Sequence, residues 1–102
     1  MSSEPVSPPF FETGPVFITP YAKVAVETAA IDLKPWIERH QRAEWPGMAP
    51  EDFVANMRAI ADGSRILGRF TLSGDLKIWV ITDAEDEKGV REHTTVMLPS
   101  EY

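Results

Sequence analysis

His40 and Glu44 stand four residues apart, a spacing that would set both side chains on one helix face as ligands for a divalent metal. His93 is the only other imidazole and falls in or near a loop. A histidine at the edge of an apolar helix stripe is expected to pack or cap rather than coordinate. Serines, threonines, acids and the two histidines allow many nominal triads. No G-x-S-x-G elbow is present to hold up a nucleophile. No catalytic residue, metal or cofactor is therefore assigned. Trp36, Trp45 and Trp79, with Arg39, Arg42, Arg65 and Arg69, offer rings and cations of the kind that grip single strands. Periodicity places Trp36 and Trp79 on buried faces. Trp45, in the loop "AEWPG", is expected either to close over the ends of the second and third helices or to meet a partner. Asp83, Glu85, Asp86 and Glu87 put four carboxylates into five residues. Such a run is ordinarily a solvated loop; the sharper reading is a phosphate mimic. Duplex DNA carries one charge per ~1.7 Å, so a net charge of −6 is modest for mimicry. The partner-contact candidates are thus Asp83, Glu85, Asp86, Glu87, Arg65, Arg69 and Trp45.

Ser7-Pro8-Pro9-Phe10 matches the short motif of enzymes that methylate exocyclic amino groups in DNA. That chemistry needs a doubly wound sheet and a glycine-rich turn where the backbone approaches S-adenosylmethionine. The glycines stand at 14, 47, 63, 68, 74 and 89, and no two are spaced as G-x-G. The motif also lies in a Pro-rich arm with no strand before it. The chain does not read as a catalytic methyltransferase subunit, although it could bind one.

The elements that must position these residues follow from composition and period. A chain of 102 residues, 43% of them apolar, supports one core and one domain. Ten basic residues against sixteen acidic ones argue against general duplex binding, in which neutralised phosphates supply most of the affinity. The absence of cysteine removes disulfides, thiolate catalysis and cysteine-based zinc sites. No apolar run approaches the ~18 residues of a membrane helix. No basic start leads into an apolar stretch, so a secretory signal is not expected and the cytoplasm is the expected location.

Residues 1–18 form a Pro-rich arm and 19–102 a single α+β domain. Pro5, Pro8, Pro9, Pro15 and Pro20 keep the arm out of a helix. "PVFI" is apolar enough to dock on the domain, an edge strand being one way to do so. Thr19 is a good N-cap with Pro20 at the first helical position, opening a helix to Ala30. Asp32 caps "LKPWIERHQR", in which Leu33, Trp36, Ile37 and His40 share a face. "PEDFVANMRAIA" is the third helix, with Phe53, Val54, Met57, Ile60 and Ala61 as its expected buried stripe and Gly63 as its stop.

After Gly63 the period falls to two. "SRILGRFTL" and "LKIWVIT" are strand-like, and Gly74-Asp75 fits a two-residue type II′ turn. That turn pairs Phe70 with Trp79 and Gly68 with Ile81. Ile66, Phe70, Trp79 and Ile81 then face the core, and Gly68 leaves room for a large ring. Arg65, Leu67, Arg69, Ile78 and Val80 fall on the other face, too apolar to stand in water. "TTVMLP" is the third strand. The expected architecture is three N-terminal helices packed on a three-stranded antiparallel β-meander. The second sheet face is expected to be covered by Phe10, Phe11 and Val16 to Ile18, or by a second copy of the chain.

Ile18-Thr19-Pro20, the hairpin from Arg65 to Thr82, and the ending Leu98 to Tyr102 carry a resemblance. The chain resembles small bacterial proteins borne on plasmids and other integrating elements, over roughly residues 18 to 102. Members of that group carry labels such as "plasmid-related protein" or "type I restriction endonuclease subunit M". The resemblance, the lack of a catalytic constellation and the acidic balance together point to a non-catalytic accessory protein that acts through protein–protein contact. The specific version is inhibition of a host restriction or CRISPR complex. The expected partner is a protein of the host or the element, with homodimerisation as a further form of contact. Neither a membrane nor nucleic acid is the expected partner. The rival reading is a small nucleic-acid-binding regulator that uses a basic, aromatic sheet surface.

Overall fold

The computed structural model describes residues 9–102. Ser7 and Pro8 of the methylation-like motif lie outside the described residues. The elements in chain order are β1 (Val16–Ile18), α1 (Pro20–Thr28), α2 (Lys34–Gln41), α3 (Pro50–Asp62), β2 (Ile66–Thr71), β3 (Lys77–Thr82) and β4 (Thr94–Met97), closed by a 3₁₀ turn (Pro99–Glu101). Among the described residues, no helix is long and apolar enough to cross a membrane.

The sheet corrects the expected architecture. It has four strands in the order β1-β4-β3-β2, and it is mixed: β1 runs parallel to β4 while the other pairs are antiparallel. A strand also precedes the helices, so the helices are not simply N-terminal to the sheet. The physical reason is the edge that β4 would otherwise leave unpaired. Thr94 N–H donates to the Pro15 carbonyl at 3.0 Å, and Thr19 N–H donates to the Val96 carbonyl at 3.0 Å. "PVFI" is therefore an edge strand, with Pro15, which has no N–H to give, just before it.

The hairpin register is corrected by one residue. Leu72 N–H donates to the Leu76 carbonyl at 2.7 Å, which closes a three-residue loop of Ser73, Gly74 and Asp75. Gly74 takes φ +67°, a left-handed conformation that glycine adopts without a Cβ penalty. Phe70 now faces Ile78, Arg69 faces Trp79, and Gly68 faces Val80. A one-residue slip turns every β3 side chain over. Ile78 and Val80, expected outside, are fully buried in the core. Trp79 and Ile81, expected on the core face, lie on the opposite face with Leu67 and Arg69, where Ile81 is buried all the same and Trp79 is half-buried.

The core consists of Phe11, Trp45, Ala59, Ile66, Phe70, Leu72, Ile78, Val80 and Val96. Its α2 side matches the expected stripe: Leu33, Trp36 and Ile37 pack against it and His40 is fully buried. The α3 stripe holds at Met57 and Ile60, which pack against the core, and is corrected elsewhere. Phe53 and Val54 are 41% and 52% exposed, and the buried positions are Asn56 and Ala59. The helix lies along the β2 edge rather than flat on the sheet. Asn56 Nδ2 donates to the Leu67 carbonyl at 2.7 Å, and its Oδ1 accepts the Leu67 N–H at 3.3 Å. One amide thus satisfies both backbone groups of an edge residue. Gly63 ends α3 in the left-handed region, as expected. Thr19 holds the N-cap position of α1, but its hydroxyl donates to Glu101 Oε1 at 2.7 Å instead of capping the helix.

The expected cover for the second sheet face is also corrected. Phe11 inserts into the core, Phe10 is 57% exposed, and residues Val16–Ile18 pair along the sheet edge. The aromatic ring that meets the outer face at β3 belongs to Tyr102, centred 4.9 Å from the Trp79 ring.

Candidate functional site

Two polar assemblies lie on opposite sides of the sheet. The first is buried. The Trp45 indole N–H donates to His40 Nδ1 at 3.0 Å. An indole can only donate, so Nδ1 carries the lone pair and Nε2 the proton. Nε2–H then donates to Thr82 Oγ1 at 3.0 Å. Thr94 Oγ1 donates to the Thr13 carbonyl at 2.9 Å, so Thr82 must donate to Thr94 across their 2.8 Å contact. The direction of every bond is fixed from α2 through β3 and β4 to the N-terminal segment. Burial pushes the His40 pKa down from 6.5 to about 3, because the imidazolium would lose its water. The edge of Phe11 closes over the ring at 5.1 Å. Gly68 opens space for this pair: a Cβ there would stand 2.5 Å from Trp45 Nε1 and also strike His40 Nδ1. The ring room expected at Gly68 is thus filled by Trp45 and His40. Both His40 nitrogens are committed, so the ring can neither take a proton from a ligand nor join Glu44 on a metal.

The second assembly is the outer face. Arg65, Leu67, Arg69 and Thr71 from β2 and its approach lie beside Lys77, Trp79 and Ile81 of β3, then Thr95 and Met97 of β4, and Phe17 of β1. Cations and rings alternate along it. The Arg65 guanidinium lies 5.7 Å from the Tyr102 ring and donates to the Tyr102 hydroxyl at 2.9 Å. The Arg69 guanidinium stands over the Trp79 ring at 5.4 Å. Such stacking is worth ~0.5–1 kcal/mol at an exposed site. Arg69 also meets Asp52 at 3.6 Å, with both side chains about half exposed. A groove of about 610 Å³ opens where this face meets the α2–α3 loop, lined in part by Met48, Arg69, Lys77 and Trp79.

The acidic run is an ordered turn held by Arg91. Arg91 is 5% exposed and donates to the carbonyls of Ser64, Asp83 and Ala59 at 2.7, 2.9 and 3.2 Å. Glu85 pairs with the same guanidinium at 3.7 Å, and its N–H donates to the Gly63 carbonyl. Asp86 Oδ1 accepts the Lys88 and Val90 N–H groups, and Asp83 pairs with His93 at 2.9 Å. Of the four carboxylates, Glu87 alone has no such contact among the described residues. Ligand atoms of Asp83, Glu92 and His93 also lie within 4.8 Å of one another at the surface.

The seven candidate contact residues therefore separate. Arg65 and Arg69 share the outer face. Asp83, Glu85, Asp86 and Glu87 sit at the loop beyond β3. Trp45 is 6% exposed with its N–H engaged, which withdraws it from any surface role. Trp79 was missed as a surface residue; the hairpin register was the signal that could have found it. The buried Thr82–Thr94 pair was missed because neither threonine differs from an ordinary strand residue. No protein-family model matches the chain, and no curated protein or solved structure matches it.

Proposed function

We propose that this chain is a non-catalytic protein that acts by protein–protein contact through the outer face of its sheet. The observation that carries the reading is the face itself. Leu67, Trp79, Thr95 and Met97 are half-buried around the buried Ile81, Phe17 is 56% exposed, and the α2 stripe packs against the core on the other side. An apolar centre with charged residues at its margin is the anatomy of an interface. The resemblance in the hairpin and the C-terminal ending supports an accessory protein of a mobile genetic element. Inhibition of a host defence nuclease complex is its specific form. The acidic loop supports that form less than the face does, because Asp83, Glu85 and Asp86 are held in internal contacts.

The test is capture from host lysate by the intact chain and by Thr95→Arg, which places a cation in the middle of the face. Restriction, CRISPR or other defence components should be enriched by the first and lost with the second. Equal recovery by both variants, or none by either, removes the reading. One observation favours nucleic acid as a second reading: Arg65, Tyr102, Trp79 and Arg69 stack in succession on an open sheet. A gel-shift titration at low salt separates the two, since tight and salt-sensitive binding would favour the second.

A further inference from the structure

We infer that the groove beside Arg69, Lys77 and Trp79 takes an acidic segment of the partner protein, with an apolar side chain seated between its carboxylates. This rests on the reading of the outer face as a contact surface, and it names the chemistry of what is contacted.

Charge is the first support. The chain carries −6, yet the groove is lined by two cations and one carboxylate, Asp52. Arg69 opposes Trp79 and Lys77 opposes Thr71, so the two cations are diagonal neighbours on one face. That geometry sets their Cβ atoms within ~8 Å. Folding alone gives no reason to gather like charges there. Lys77 has no ion pair among the described residues. The Arg69–Asp52 contact is long and half exposed, a class of pair worth little, so the guanidinium is free to be shared with an incoming carboxylate.

The apolar part of the groove is the second support. Met48 and the half-buried Trp79 line it, together with the buried Phe70 and Ile78. A methionine beside an indole adapts to side chains of different shape. A volume of about 610 Å³ is of the size that holds a few peptide residues. The Trp79 indole N–H has no acceptor among the described residues and is open to a backbone carbonyl.

A nucleic-acid strand fits less well. It brings a phosphate at every step into the field of an acidic protein, and among the described residues it finds only Arg65, Arg69 and Lys77 on the face. A base would also have to displace Arg69 or Tyr102 from the Trp79 ring. A short acidic segment brings fewer charges and has an apolar anchor to bury.

The experiment is an amide and indole chemical-shift titration of the full chain. The probes are hexapeptides of alternating Glu and Phe, Ser and Phe, or Lys and Phe, and an oligo-dT strand of the same length. The Glu–Phe peptide should shift Arg69, Lys77 and the Trp79 indole, and it should weaken as salt rises from about 0.05 to about 0.3 M. Arg69→Gln with Lys77→Gln should weaken it about tenfold or more, with shifts elsewhere unchanged. Arg69→Glu with Lys77→Glu should transfer preference to the Lys–Phe peptide. Equal binding of the Glu–Phe and Ser–Phe peptides at the face overturns the acidic assignment and leaves the contact surface standing. Tighter binding of oligo-dT overturns both in favour of nucleic acid. No shift at the face with any probe overturns the inference, and the lysate capture then decides the contact reading separately.

Discussion

The Trp45 indole and the His40 imidazole meet at 3.0 Å directly beneath Gly68, the one β2 position with no side chain to obstruct them. A strand glycine usually weakens a sheet; here it admits a ring pair that ties the α2–α3 loop to the core. Gly68→Ala should therefore destabilise the protein by about 1–3 kcal/mol through overpacking, despite the better strand propensity of alanine. Urea unfolding measures this. An unchanged midpoint would mean that the rings shift without penalty.

His40 should make stability depend on pH. In the unfolded chain it takes up a proton near pH 6.5, whereas in the folded chain it resists until about 3. The unfolded state thus holds more protons below 6.5, and stability falls as pH falls through that window. Between about pH 7 and about pH 5 the loss should approach 2 kcal/mol, at about 1.4 kcal/mol per unit below the unfolded value. His40→Gln should remove this part of the slope. If that variant does not fold, nitrogen shifts of the wild-type ring will serve, and they should report a neutral Nε2–H tautomer down to about pH 4.

Thr82→Val and Thr94→Val each strand a buried partner and should cost about 1–3 kcal/mol apiece. The double variant should cost less than the sum, because the contact between the two hydroxyls is then absent on both sides. A double-mutant cycle by urea unfolding reads the coupling. Strict additivity would break the hydroxyl chain into independent bonds.

Asn56→Ala should expose the Leu67 N–H and carbonyl along the β2 edge. The expected result is a loss of about 1–3 kcal/mol and faster hydrogen exchange at Leu67. Light scattering should show new self-association, since an uncovered edge is a template for another strand. Retained exchange protection at Leu67 would show that α3 shields the edge by packing alone.

What was legible in the sequence was the local chemistry. Thr19-Pro20 opens α1, Gly63 ends α3, and the spacing of Leu33, Trp36, Ile37 and His40 identifies the α2 core face. What escaped depended on one residue or on distant pairing. Both a two-residue and a three-residue turn suit Ser73-Gly74-Asp75, and choosing the shorter reversed Trp79 with Ile78. The α3 stripe misled because Phe53 and Val54 look like core residues, whereas the helix approaches the β2 edge through small Ala59 and polar Asn56. The parallel pairing of β1 with β4 joins residues nearly eighty positions apart, which no short window reveals. The basic, aromatic outer face was partly visible in Arg65 and Arg69, but its ring came from β3 only once the register was right.

The hydroxyl chain beneath the sheet has a further property. It begins at an indole that cannot accept a proton and ends at a backbone carbonyl that has none to return. Every hydrogen along it points one way, and reversing any link would leave two hydrogens or two lone pairs face to face. It cannot conduct protons as a wire; it is a strut, and its rigidity comes from that one-way order.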